Sequence, residues 1–350
     1  MENELLKVRE WAINKIKTEY PDDVALLVAV EGCAVNGDWH GEVFDYFIPA
    51  TERGNDLAET FIIGDIGIDL YPRSWERTEH TANLDNQSPQ CVGSARILYA
   101  RSKEDEERFL ALKQKFFENL SDPQFVYKKA LENLNTAMDL YRTMLFENRL
   151  YRVRGLAGYV HRYLTTAVAC LNNTYRKDYH GGYHGGVIHE VSQWKALPAH
   201  FIEYYQAILT ANTTEEMRNL AYLLIAGTRE FIAGYKPEEN LPEKVKDYQW
   251  LADWYQELRD WLRRLYYFCD IKNIDDAFYE ACQMQSELDI IGEDFGLGEM
   301  DLLGYFQADN LDILHNRASE LEKEIIETIE SNGVWIKKYA NVDEFLAARK

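Results

Sequence analysis

The chain has 350 residues, 46% of them hydrophobic and 28% charged, with a formal net charge of −21 at pH 7. That length has room for two domains, each with its own core, in a composition ordinary for a globular protein. The acidic balance repels polyanions and so argues against a general role on DNA or RNA, while it would draw a small cationic substrate.

No run of eighteen apolar residues occurs, which predicts no membrane span. The amino-terminal MENELLKVREW is charged and amphipathic and lacks the apolar stretch of a secretory signal. The five cysteines (Cys33, Cys91, Cys170, Cys269, Cys282) are scattered without CxxC spacing. That suits a reducing cytoplasm and speaks against a disulfide framework or a thiolate zinc site.

In chain order, residues 2–19 read as a helix with Leu5, Val8, Trp11, Ala12 and Ile16 on one face, stopped by Pro21. Val24–Val30 is an apolar run, as expected of a strand covered on both faces. Phe44–Ile48 and Thr60–Tyr71 read as the next strands, with a turn and short helix over 51–59 between them. Val92–Ala100 is a fourth strand candidate. Near residue 104 the character changes and almost everything reads as helix. Lys103–Leu120 is charged and amphipathic, and Asp122-Pro123 caps and opens the next helix, which runs to about Asn148. Tyr151–Tyr175 follows, then the Gly- and His-rich DYHGGYHGG. Further helices are expected around 187–195, 199–211, 214–233, 243–269, 274–291 and 299–331. Trp250, Trp254, Trp261 and Leu265 recur at helical spacing and read as core. The expected fold is therefore α+β, with a small mixed sheet and flanking helices over 1–103 and a large all-helical domain over 104–350.

The chemistry-bearing stretch runs from Gly32 to Asp69. A small-residue turn, Gly32-Cys33, leaves an apolar strand. The second strand carries Asp45 and the third Asp69, so carboxylates from neighbouring strands converge near a turn whose backbone N–H groups can cradle phosphate. This layout resembles the core of the nucleotidyltransferase superfamily, and in particular the streptomycin-adenylyltransferase-like aminoglycoside enzymes. The superfamily pattern is Gly-Ser, a short loop, then Asp-x-Asp or Asp-x-Glu beginning ten residues after the Ser. Here Cys33 stands in the Ser place, Val43 in that of the first acid, Asp45 in that of the second, and Asp69 in that of the third. The run FIIGDIGIDLYPRSWER, with Pro72, Ser74, Trp75, Glu76 and Arg77, and the helical LNNTYRKDY are similar to segments of the same proteins. The resemblance spans roughly residues 20–235.

The resemblance implies Mg²⁺-dependent transfer of a nucleoside monophosphate from ATP to a hydroxyl of a small, cationic acceptor such as an aminoglycoside. Asp45 and Asp69 would hold the metal, which wants hard oxygen ligands. Gly32 and Cys33 would hold the triphosphate and Arg77 would neutralise phosphate charge. A Glu of the helical domain would act as base, with Glu147, Glu190 and Glu203 all open. Val43 departs from the pattern, since valine cannot bind Mg²⁺. If the strand is regular, Val43 shares a face with Asp45, and Glu42 points the other way, while Asp38 could swing in from the loop. A second reading of a different class follows: a catalytically silent relative that senses a ligand or docks a partner.

Other candidates carry less. His180, His184, His189 and His200 cluster with Glu190 and Glu203, but glycines interrupt the segment and HExxH is absent, so a loop over the cleft is the simpler reading. Arg154 and His161 loosely resemble the ribonuclease spacing of HEPN domains. No GxxxxGK[ST], GxGxxG or GxSxG occurs. The carboxy-terminal helices are open to capping the bundle or to forming a dimer interface.

Overall fold

Helix α1 (Glu2–Glu19) forms where Ala12 and Ile16, four residues apart, make a fully buried stripe. That stripe packs with Leu27, Phe47 and Leu70 on one face of the sheet. A computed structural model of the protein describes residues 2–30, 32–33, 40–41, 43–64, 66–177, 186–237 and 245–349. Strand β1 (Val24–Val30) is buried along its whole length, as its unbroken apolar run predicts. Its residues serve two clusters: Val24 and Leu27 join that of α1, whereas Ala25, Leu26, Val28 and Val30 join the one on the opposite side. Strands β2 (Gly32–Cys33) and β3 (His40–Gly41) form a small antiparallel ladder of their own.

The main sheet is completed by β4 (Tyr46–Pro49), β5 (Glu59–Ile63), β6 (Ile66–Pro72) and, after α2 (Trp75–Ala82) and the one-turn α3 (Gln90–Gly93), by β7 (Ala95–Ala100). Its order is β5-β6-β4-β1-β7. Strand β1 is antiparallel to β4 and β7, and β4 is parallel to β6. The sheet is mixed, as expected. The segment expected as one strand from Thr60 to Tyr71 is instead a hairpin. Gly64 turns the chain with φ of +63°, a left-handed conformation open to glycine.

Several helices start at a side-chain cap. Ser74 accepts from the Arg77 backbone N–H at the start of α2. Ser102 accepts from Asp105 at α4 (Lys103–Ser121), and Asp122 accepts from Gln124 and Phe125 at α5 (Pro123–Phe146). Helices α5, α6 (Leu150–Leu171) and, beyond α7 (Gly186–Ser192) and α8 (Phe201–Thr210), α9 (Thr214–Ala233) share one core. Ala130, Ala137, Ala157 and Ala221 are fully buried within it, so small side chains let these helices approach closely.

The chain divides into two compact units, 1–238 and 239–350. The change of character near residue 104 is thus a change from sheet to helix inside the first unit. The loop between α2 and α3 holds the two parts of that unit together. Lys129 Nζ donates to Asp85 at 2.6 Å, Gln87 Nε2 donates to Asn133 at 2.9 Å, and Arg162 Nη2 donates to the Gln87 carbonyl at 2.8 Å. Gly93 is a second tie. A Cβ there would stand 2.5 Å from Tyr175 Cζ and 2.8 Å from Phe116 Cε1, and both rings belong to a tightly packed aromatic cluster. Gly93→Ala is expected to cost about 1–3 kcal/mol through overpacking, read as a lowered urea midpoint. A midpoint equal to the native one would show that Tyr175 can move aside freely.

In the second unit α10 (Tyr248–Asp270), α11 (Ile274–Phe295) and α12 (Leu311–Ser331) form a separate core, followed by the short α13 (Val342–Ala347). Leu265 is fully buried there, and Trp254 and Trp261 pack against the core. Trp250 departs from its expected core role: it is 46% exposed and lies flat over Phe295. No described helix is long and apolar enough to cross a membrane.

Candidate functional site

The end of the sheet where β4 begins and β6 finishes brings Asp45, Tyr46, Tyr71, Arg73 and Cys91 together. Residues 43–45 are a bend before β4, so the period-two alternation of a strand does not hold there. The Asp45 backbone N–H still donates to the Val28 carbonyl at 2.8 Å. Its carboxylate turns to the face of Tyr71 and Cys91, accepting a long bond of 3.4 Å from the Tyr71 hydroxyl and a contact of 3.6 Å from the Cys91 thiol. Burial pushes that thiol up to about 12, and the Asp45 carboxylate adds to the rise, so Cys91 stays protonated and unreactive. Tyr46, pushed well above its ordinary value by burial, donates to the Cys91 carbonyl at 2.6 Å.

Val43 goes the other way. It is 6% exposed and packs with Ile68, Val8 and Phe61 on the side of α1. The expectation that Val43 and Asp45 share a face is therefore corrected, and the cause is the bend. Asp69 is exposed on β6, where it accepts from Thr60 Oγ1 at 2.9 Å across the hairpin. The expected Gly32-Cys33 turn is also corrected, because both residues lie in the β2–β3 ladder. Asp38, Glu42, His180 and His184 lie outside the described residues.

Among the described residues no group of three His, Cys, Asp or Glu side chains is placed to hold one ion. Asp45 is engaged by Tyr71 and Cys91, Asp69 by Thr60, and position 43 contributes an apolar group to an apolar cluster.

What the site does offer is cationic. Arg73 is 1% exposed and its guanidinium sits over the Tyr46 ring at 5.3 Å. It donates through Nη2 to Thr81 and to the Arg77 carbonyl, while Nε and Nη1 have no partner among the described residues. Buried N–H groups of a permanent cation left unpaired are costly. Arg77 is exposed beside Tyr71, its guanidinium 5.9 Å from that ring. The alternation of β6 foreshadows part of this arrangement. Asp69, Tyr71 and Arg73 occupy alternate positions, a pattern that could have singled out Arg73. Nothing in the spacing pointed to Cys91.

The three open general-base positions are now placed. Glu147 is held by Arg149 and Arg152, and the Arg149 hydrogen bonds pull it down to about 2, so it is a poor base. Glu190 accepts from the Lys177 backbone N–H at 2.7 Å, and Glu203 pairs with His200 at 2.7 Å. Arg154 donates to the Ala211 carbonyl and Asn212. His161 is buried flat against Tyr205, with ring centroids 3.4 Å apart. Burial, and then the Arg176 charge, lower it to about 3. It is a neutral packing group at ordinary pH, unlike a ribonuclease general acid.

No family model and no curated protein matches this chain. Among solved structures it is similar to a nucleotidyltransferase-like protein from Exiguobacterium sibiricum 255-15, at 14% identity and a TM-score of 0.33, with 64% of this chain and 74% of that one covered.

Proposed function

We propose that this chain is a catalytically silent nucleotidyltransferase-like protein that binds the anionic part of a nucleotide at the Asp45 end of its sheet and transfers nothing. The observation that carries the reading is the bend at 43–45, which sends Val43 into an apolar cluster and Asp45 to Tyr71 and Cys91, so that the two positions cannot act as an acid pair. The motif run from Ile66 to Arg77 and the mixed sheet support the ancestry. Buried Arg73 and exposed Arg77 support an anionic ligand, because guanidinium forks match phosphate oxygens.

Calorimetric titration with ATP tests this directly. Saturable binding that is the same in Mg²⁺ and in EDTA, and weaker by about tenfold or more in Arg77→Ala, is the expected result. Tight binding that requires Mg²⁺ would sink it. That outcome would favour a second reading, nucleoside monophosphate transfer from ATP to a small cationic acceptor such as an aminoglycoside, with Asp45 and Asp69 as metal ligands. The acidic charge, which attracts such acceptors, is the observation on that side.

A further inference from the structure

Strand β5 ends the sheet: the order is β5-β6-β4-β1-β7, and among the described residues no strand pairs with its outer side. An open edge is a template for another strand, and proteins usually blunt theirs with lysine, proline, a bulge or an inward-pointing charge. Strand β5 reads Glu-Thr-Phe-Ile-Ile, with none of these devices between Thr60 and Ile63, and its register against β6 is unbroken. Its one charge, Glu59, stands at the end and is paired with Lys15 Nζ at 2.9 Å. Ile62 is 76% exposed, and across the hairpin it meets Gly67, which has no side chain to cover it. On the other face Phe61 packs edge-on against Trp11 of α1. There Glu59, Phe61 and Ile63 join Lys7, Val8 and Trp11 around an open groove of about 360 Å³.

The register says which backbone groups are free. The hairpin closes on the Ile63–Ile66 pair with two residues between them, and a hairpin that tight hydrogen-bonds its closing pair. Bonded pairs alternate along an antiparallel ladder, so Ile63, Phe61 and Glu59 turn their N–H and C=O groups towards β6. Thr60 and Ile62 turn theirs outward. These two residues flank Phe61, and they match the same two residues of an antiparallel copy. With Phe61 on the two-fold axis, Thr60 exchanges both backbone bonds with Ile62 of the second copy, and Ile62 does so with its Thr60. The two Phe61 residues meet as a non-hydrogen-bonded pair, where Cα atoms stand about 4.5 Å apart and facing aromatic rings stabilise a sheet. Glu59 meets Ile63 of the second copy and not another acid, and Ile62 gains a Thr60 side chain beside it. No like charges oppose each other in this register. The pattern is symmetric about its own centre, which an isologous contact requires and a foreign peptide does not.

We propose that β5 pairs antiparallel with β5 of a second copy of this chain, joining the two sheets into one across a two-fold axis at Phe61. The contact closes on itself. It does not depend on nucleotide binding at the Asp45 end of the sheet.

Sedimentation velocity of the full chain over a concentration series tests this. A monomer–dimer equilibrium is expected, tightening as added salt screens the −21 charge that each copy carries. Ile62→Pro deletes an outward N–H and leaves the bonds to β6 in place, and Ile62→Lys sets a lysine on the edge. Both should weaken the dimer at least about tenfold while the circular dichroism spectrum stays native. Under oxidising conditions Phe61→Cys should give a disulfide-linked dimer, because the two thiols face each other on the axis, whereas Ile62→Cys, opposite Thr60, should not. A native chain that stays monomeric at about 100 μM overturns the proposal. A dimer equally strong in both Ile62 variants does so too, by placing the contact elsewhere, as do oligomers that grow without limit, which a closed two-fold contact forbids.

Discussion

Val43→Asp should destabilise the protein by on the order of 3 kcal/mol and should fail to create a metal site. On the proposed reading, an acid at this position would complete an acid pair if position 43 faced Asp45. It faces Ile68, Val8 and Phe61, at 6% exposure. A carboxylate there loses its hydration, gains no cation, and disrupts the contact between α1 and the sheet. Because burial would raise the new carboxyl's pKa, the folded state would bind the extra proton more readily than the unfolded chain. The deficit should therefore shrink as pH falls. Urea unfolding of the variant at neutral and mildly acidic pH reads both effects, and titration with Mg²⁺-ATP reads the site. Native-like stability together with newly Mg²⁺-dependent nucleotide binding would show that residue 43 turns to Asp45 after all, and transfer would regain its place as the leading function.

The second large effect comes from His161. The folded chain holds it at about 3 against an ordinary value of 6.5. Above 6.5 both folded and unfolded chains carry neutral histidine and the group contributes no pH dependence. Below 6.5 the unfolded chain takes up a proton that the folded chain refuses. Stability therefore falls as pH falls, and the loss is complete near pH 3. At roughly 1.4 kcal/mol per unit, the step from pH 6.5 to pH 4.5 alone removes about 2–3 kcal/mol. His161→Gln keeps a polar group within reach of Thr165, whose hydroxyl lies 3.1 Å from His161 Nε2, and carries no titrating group. The informative quantity is the difference in unfolding free energy between native and variant as a function of pH. It should close steadily in the variant's favour on acidification. A difference that stays flat between pH 7 and pH 4.5 would mean that His161 protonates in place, against Tyr205.

Both effects bear on how the molecule divides between pattern and packing. The helix that begins at Asp122 was legible because a cap is a contact between neighbours in sequence: its side chain accepts from backbone N–H groups two and three residues on. Strand β1 was legible because seven apolar residues in a row have no other economical burial. The Pro72–Arg77 motif also has a local meaning, since Ser74 caps the helix that Trp75 opens, with Arg108 stacked 4.2 Å from the indole. Trp250 was misread because a helical stripe predicts which residues share a face and is silent on how far that face is covered.

The sequence by itself determined the order of the elements, the mixed-sheet-then-helices architecture, and the presence of Asp69 on a strand, because each depends on periodicity or on contacts a few residues apart. The tertiary structure decided what Asp45 and Asp69 face. The bend at 43–45 separates Val43 from Asp45, Thr60 reaches Asp69 across a hairpin that Gly64 opens, and Arg73 is enclosed with Nε and Nη1 unpartnered among the described residues. Strand alternation assigns a face only while the strand is regular, and a single bend exchanges the two faces. For that reason the chemistry of this site follows from the packing around residues 43–45, which spacing along the chain cannot encode.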